Sequence, residues 1–187
     1  MRKVYLAGPE VFLPDAVEVG RRKVAICARH GLEGIFPLDL DEPSAPNEAA
    51  AIFAACLRAM RGCDAAIANL TPFRSVSADP GTAFELGFLM AAGRPMFGYS
   101  NETVALAERV SRRYGPLASR GEQLFAADGA AVESFDHFDN LMLAEALRVD
   151  GPGVFLPRAP VGDPARDLAT FETCVSFAAT ALSRTPR

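Results

Sequence analysis

Short apolar runs alternate along this chain with longer stretches in which apolar residues recur at helical spacing. Runs of the first kind read as strands buried on both faces, and the alternation predicts a parallel sheet covered by helices on either side. KVYLA (3–7) opens the series and is stopped by Gly8 and Pro9. GIFPL (34–38), DAAIANL (64–70) and PMFGYS (95–100) follow, and GVFLP (153–157) offers a fifth strand. Helices are predicted from Asp15 to about His30, from about Asn47 to Arg61, from about Asp79 to Ala92, and near 102–113, 136–148 and 163–183. The first carries an apolar stripe of Ala16, Val17, Gly20, Val24, Cys27 and Ala28. Pro14-Asp15 with Glu18 has the form of a capping box, and Gly31, Gly62 and Gly93 stand where helices stop. The stretch 114–135 shows no clear period. No repeat, linker or low-complexity segment interrupts the chain, so one domain over 1–187 is expected.

In an open sheet of this kind ligands bind beyond the carboxyl ends of the strands. Three loops leave such ends: AGPEVFLP, TPFRSVSADPG and YSNE. The second runs into ADPGTAFELGF (78–88), where Asp79 precedes a proline at the first helical position and Glu85 follows in the second turn of an otherwise apolar helix. Gly81 and Thr82 clear bulk from one side of Glu85, and Phe88 and Leu89 make the other apolar, which would seat a ligand ring. A desolvated carboxylate beside a crevice is a candidate nucleophile or base. The same two acids also fit an ordinary cap and a helix-dipole interaction. Phe12 and Phe73 are candidates to wall a slot for a stacked base or to be buried loop aromatics. Arg74 fits a substrate phosphate or a surface pair equally.

Composition narrows the partners. Half of the 187 residues are apolar and the net charge is -4, with no basic tract for a nucleic acid polymer. The apolar run near the start is too short for a signal sequence or a membrane span, so a cytoplasmic protein is expected. Cys27, Cys56, Cys63 and Cys174 form no CxxC pair and have two histidines to join them, which argues for reduced core thiols and against a metal site. His30 and His137 read as structural, and Asp64 as a strand-starting or amide-binding acid. Neither G-x-G-x-x-G nor a P-loop follows the first strand.

Taken together, VYLAGPEVFLPDA (4–16), residues 63–99 and FDNLML (138–143) resemble the nucleoside 2-deoxyribosyltransferase family, in order, over residues 1 to about 148. The resemblance implies a flavodoxin-like, three-layer α/β/α fold with a five-stranded parallel sheet. It also implies transfer of 2-deoxyribose between nucleobases, with deoxynucleosides and nucleobases as small-molecule partners and no metal or organic cofactor. Glu85 matches the nucleophile, Asp79 the acid that holds sugar hydroxyls or helps protonate the base, and Tyr5 the tyrosine that positions the nucleophile. Gly8 and Phe12 match the loop beside the ligand. Asn140 and Met142 match residues lent by a neighbouring subunit, so a homo-oligomer of at least two chains with a shared site is implied. One position departs: Cys56 stands where the family usually has Asp or Asn reaching the base, and a thiol is a poor hydrogen-bond partner. Two rival functions stay open. One is a nucleoside or nucleoside-monophosphate N-glycosidase, in which Arg74, Ser75 and Ser77 would serve a 5′-phosphate. The other is a non-catalytic nucleotide-binding module.

Overall fold

A computed structural model describes residues 1–40 and 49–184. Strand β1 (Arg2–Ala7) leads through a short 3-10 turn, Pro9–Phe12, into α1 (Ala16–Arg29). Then come β2 (Leu32–Ile35), α2 (Ala49–Gly62), β3 (Ala65–Asn69), α3 (Pro80–Ala91), β4 (Met96–Tyr99) and α4 (Leu106–Tyr114). Three short strands follow, β5 (Ala118–Arg120), β6 (Gln123–Phe125) and β7 (Ala131–Val132), and then α5 (Leu141–Ala146), β8 (Val154–Phe155) and α6 (Ala169–Arg184). The central sheet is parallel and five-stranded, in the order β2-β1-β3-β4-β8. The chain steps one way from β1 to β2 and back the other way to β3, so the carboxyl ends of β1 and β3 flank the switch point where such sheets hold ligands.

Strand alternation divides the core. Val4, Leu6, Ala65 and Ile67 face α1 and α6, whereas Tyr5, Ala7, Ala66 and Ala68 face α3 and α5. Both faces are covered, which is why these strands read as unbroken apolar runs. Tyr5 is wholly buried among alanines, and those small neighbours leave its ring room to lie over the sheet toward α3.

The structure corrects several expectations. The buried face of α1 is Ala16, Val19, Gly20, Lys23, Ile26 and Cys27, and Val17 points to solvent. Gly20 lets α1 press on the sheet, since a Cβ there would stand 2.4 Å from the ring of Phe36. Asp15 makes no side-chain cap; its carboxylate instead takes Nε and Nη2 of Arg166 at 2.7 and 2.9 Å. Helix α5 starts at Leu141 rather than 136, because Asp136 has a φ of 55° and Asn140 caps the helix. Helix α6 starts at Ala169, after the carboxylates of Asp163 and Asp167 have closed turns on the amides of Ala165 and Ala169. The unpatterned stretch 114–135 contains the antiparallel sheet β5-β6-β7. The expected start of the second helix near Asn47 lies outside the described residues. No described helix is long and apolar enough to cross a membrane.

Candidate active site

Helix α3 begins as its sequence dictates. Oδ2 of Asp79 accepts from the amides of Gly81 (2.9 Å) and Thr82 (3.2 Å), Pro80 has no amide hydrogen that needs an acceptor, and Gly81 carries no Cβ to crowd that oxygen. Leu86 and Leu89 bury the inner face of the helix. That orientation carries Glu85 over β1, where the Tyr5 hydroxyl donates to its Oε1 at 2.6 Å. Cys56 of α2 lies beside this pair, so α3, β1 and α2 meet at one carboxylate. Among the described residues no cation pairs with it. Burial pushes the Glu85 pKa up to about 7, the hydrogen bond from Tyr5 opposes this, and the charges of Asp79 and Glu10 add to it. Burial and the neighbouring Glu85 also drive the Tyr5 pKa far upward, so the phenol stays protonated and remains a donor. A half-buried carboxylate held on one oxygen, with the other making no hydrogen bond among the described residues, is equipped to attack an electrophilic carbon.

A second acid at this edge is paired differently. Oε1 of Glu10 accepts from Lys23 Nζ (2.6 Å), Tyr99 OH (2.8 Å) and Asn69 Nδ2 (3.0 Å), and both Glu10 and Lys23 are buried. Lys23 also lies 4.8 Å from the centre of the Phe171 ring. Burial alone would raise the Glu10 pKa; the charge of Lys23 and the hydrogen bonds from Lys23 and Tyr99 outweigh it and hold the carboxyl below its usual range. Gly8 sits over this cluster, where a Cβ would stand 2.1 Å from Oε2 of Glu10 and 2.9 Å from Cβ of Asn69. Residue 8 must therefore be glycine for the first loop to lie this close to the sheet.

Phe12 and Phe73 stack on each other with ring centres 5.2 Å apart, and Arg74 lies 4.7 Å over Phe73 and 5.4 Å over Phe12. The rings touch, so a base would meet the outside of the pair or separate it. Arg74 adopts a φ of 55° and lids the stack. Asp64 takes the amide of Lys3 at 2.7 Å and the Arg2 guanidinium at 3.3 Å, and His30 and His137 meet Glu172 and Glu145.

Comparison with known proteins then decides the family. The model of the family described as nucleoside 2-deoxyribosyltransferase matches residues 4–142. The chain belongs to the nucleoside 2-deoxyribosyltransferase family. It is 30% identical to a 2-desoxiribosyltransferase from Leishmania mexicana, with a TM-score of 0.66 over 99% of this chain and 100% of that one. A conserved protein from Enterococcus faecalis V583 shares the fold at 16% identity and a TM-score of 0.57, covering 95% and 99% of the two chains. An uncharacterised protein of Schizosaccharomyces pombe is 34% identical over 164 residues, 79% of this chain and 78% of that one.

In this deoxyribosyltransferase fold the acid pair and Tyr5 come together within one chain, and two other predicted residues do not join them. Asn140 accepts from the Met142 amide at 3.0 Å and donates to Glu133 at 2.7 Å, and Met142 is 71% exposed. Among the described residues neither bonds Tyr5, Asp79 or Glu85. The residues that sequence reasoning missed are Glu10, Lys23 and Tyr99 beneath the first loop, and Asp139 and Arg109 behind the loop that ends at Asp79.

Proposed function

We propose that this deoxyribosyltransferase-family chain moves a 2-deoxyribosyl group between nucleobases through a covalent ester on Glu85. The observation that carries the reading is the 2.6 Å hydrogen bond from Tyr5 to a half-buried Glu85 that has no cationic partner among the described residues. Oxygen Oε2 attacks C1′ of the deoxynucleoside as the C1′–N bond breaks, and the bonding electrons leave on the base, which takes up a proton. A second base then attacks C1′ from the face the first one left, displacing the carboxylate and retaining configuration. Asp79 serves the sugar. Its Oδ2 is tied to two helix amides, and Oδ1 is left to accept from a sugar hydroxyl. That cap also supports a nucleoside over a 5′-monophosphate, because the helix amides a phosphate would use are already occupied by a carboxylate. In this reading Gly8, Phe12, Phe73 and Gly81 flank the substrate. Asn140 and the exposed Met142 close the site of a neighbouring copy, which makes the working form a homo-oligomer.

The test incubates the protein with deoxyadenosine and free cytosine and separates the products by chromatography. New deoxycytidine supports transfer; deoxyribose without deoxycytidine identifies a hydrolase; neither product overturns the reading.

A further inference from the structure

Asp139 is wholly buried, one residue before Asn140, and what it holds lies next to the acid pair. It accepts from the Ser77 hydroxyl, from the Ala78 amide at 3.0 Å and from Nη2 of Arg109 at 3.3 Å. Arg109, itself 7% exposed, donates from Nε to the Val76 carbonyl at 2.7 Å and from Nη1 to the Val104 carbonyl at 2.5 Å, and lies 4.4 Å over the Phe138 ring. Residues 76, 77 and 78 are thus each held by this one ion pair, and the next residue is Asp79. From its other side Asp79 is fixed by the Gly81 and Thr82 amides. A buried ion pair adds little net stability compared with apolar packing, so what this one contributes is placement.

We propose that Asp139 and Arg109 are positioning residues for the acid pair, holding 76–78 so that the carboxylate of Asp79 keeps its station beside Glu85. The kinetic consequence rests on the function proposed above; the placement does not. The groups facing Glu85 are Tyr5 from β1, Cys56 from α2, Glu10 from the loop after β1 and Asp79 from the cap of α3. Of these, Asp79 alone follows directly on the segment that Asp139 holds. Releasing that segment moves one negative charge away from Glu85 and leaves the other neighbours where they are, so Glu85 gives up its proton more readily.

The experiment follows carboxyl-13C-glutamate resonances of the full chain against pH, with Glu85→Gln to assign the Glu85 signal, in wild type, Ser77→Ala and Asp139→Asn. The wild-type midpoint is expected near 7. In both variants it is expected to fall by about half a unit or more, with kcat down about tenfold and KM changed less. Ser77→Ala removes one hydroxyl and keeps the buried ion pair, so it carries the test alone if Asp139→Asn does not fold. Folded variants with lower melting temperatures but an unmoved Glu85 midpoint would overturn the proposal, leaving Asp139 a purely structural anchor. A wild type without transfer or hydrolysis would sink the proposed function instead, while the midpoints would still decide this inference.

Discussion

Glu10 and Glu85 stand at the same edge of the sheet, one in the loop after β1 and the other in the second turn of α3, and their neighbours differ in kind. Glu10 has a buried lysine, a phenol and an amide on a single oxygen, and its pKa is driven down. Among the described residues Glu85 has the Tyr5 phenol, no cation and the charges of Asp79 and Glu10 nearby, and its pKa rises to about 7. Burial by itself therefore does not make a carboxylate reactive. A buried acid matched to a buried cation is committed to the fold, whereas one desolvated without a counter-charge gains by forming a bond to a carbon that bears positive charge.

Glu85→Gln breaks the comparison on the catalytic side and should show the largest effect. Turnover is expected to fall at least about a thousandfold with the circular dichroism spectrum unchanged, because binding energy cannot replace a nucleophile. Activity within a few-fold of wild type would remove Glu85 from the mechanism.

Glu10→Gln breaks it on the structural side. Lys23 would be left as a buried charge without its counter-ion, and the expected loss is about 3–5 kcal/mol by urea denaturation. Pairing it with Lys23→Met should recover most of that loss. The two acids also pull stability in opposite directions with pH. Glu85 binds its proton more tightly folded than unfolded, so its contribution is full below pH 4.5, declines as pH rises and is gone above about 7. The Glu10 contribution is full above its ordinary value and is lost as pH falls through its lowered folded value. Relative to wild type, Glu85→Gln should therefore gain stability at pH 8 and lose that advantage in acid, and Glu10→Gln should be most damaging at neutral pH. Chemical denaturation at a series of pH values checks both signs.

Tyr5→Phe sharpens the contrast by removing the hydrogen bond that favours the ionised form of Glu85. A charge-assisted bond is worth about 1.5–3 kcal/mol, so kcat/KM should fall roughly tenfold or more. The rising limb of the pH–rate profile, which reports ionisation of Glu85, should move to higher pH. A limb that stays in place would show that Tyr5 does not set the ionisation.

Cys56→Asp should have the smallest effect, changing the preference among purine and pyrimidine deoxynucleosides a few-fold. Cys56 is half-buried and lies near Tyr5 and Glu85, so a carboxylate there adds a directional acceptor at the cost of competing with Glu85 for Tyr5. An unchanged specificity profile at a preserved melting temperature would place base recognition elsewhere, with Phe12 and Phe73 the first residues to test.

What could be read in the sequence was what a local pattern encodes. Four of the central strands, β1, β3, β4 and β8, lie in apolar runs, whereas β2 is Leu32–Ile35 and the end of the expected GIFPL strand forms a 3-10 turn at Pro37–Asp39; Asp79-Pro80-Gly81 is a cap written in consecutive residues, and Glu85 and Tyr5 belong to motifs that resemble a family even though 80 positions separate them. The Glu10 cluster was hidden by a shift of the helical stripe. The expected stripe included Val17, which is exposed, and left out Lys23, whose spacing from Gly20 and Cys27 places it on the inner face. Asp15 and Glu18 had the spacing of a capping box, yet the Asp15 carboxylate is taken by Arg166, 151 positions away, a partner no local window contains. The same holds for Asp139 and its bonds to Ser77 and Ala78. The sheet of β5, β6 and β7 went unread because strands of two or three residues are too short to show alternation.

The most direct test of the account is intact-protein mass spectrometry after rapid acid quench of the full chain with a single deoxynucleoside and no acceptor base. The account predicts one added deoxyribosyl group, mapped by peptide fragmentation to Glu85, lost on adding a free base and absent from Glu85→Gln. Turnover with no adduct at any quench time, or an adduct on another residue, would contradict it.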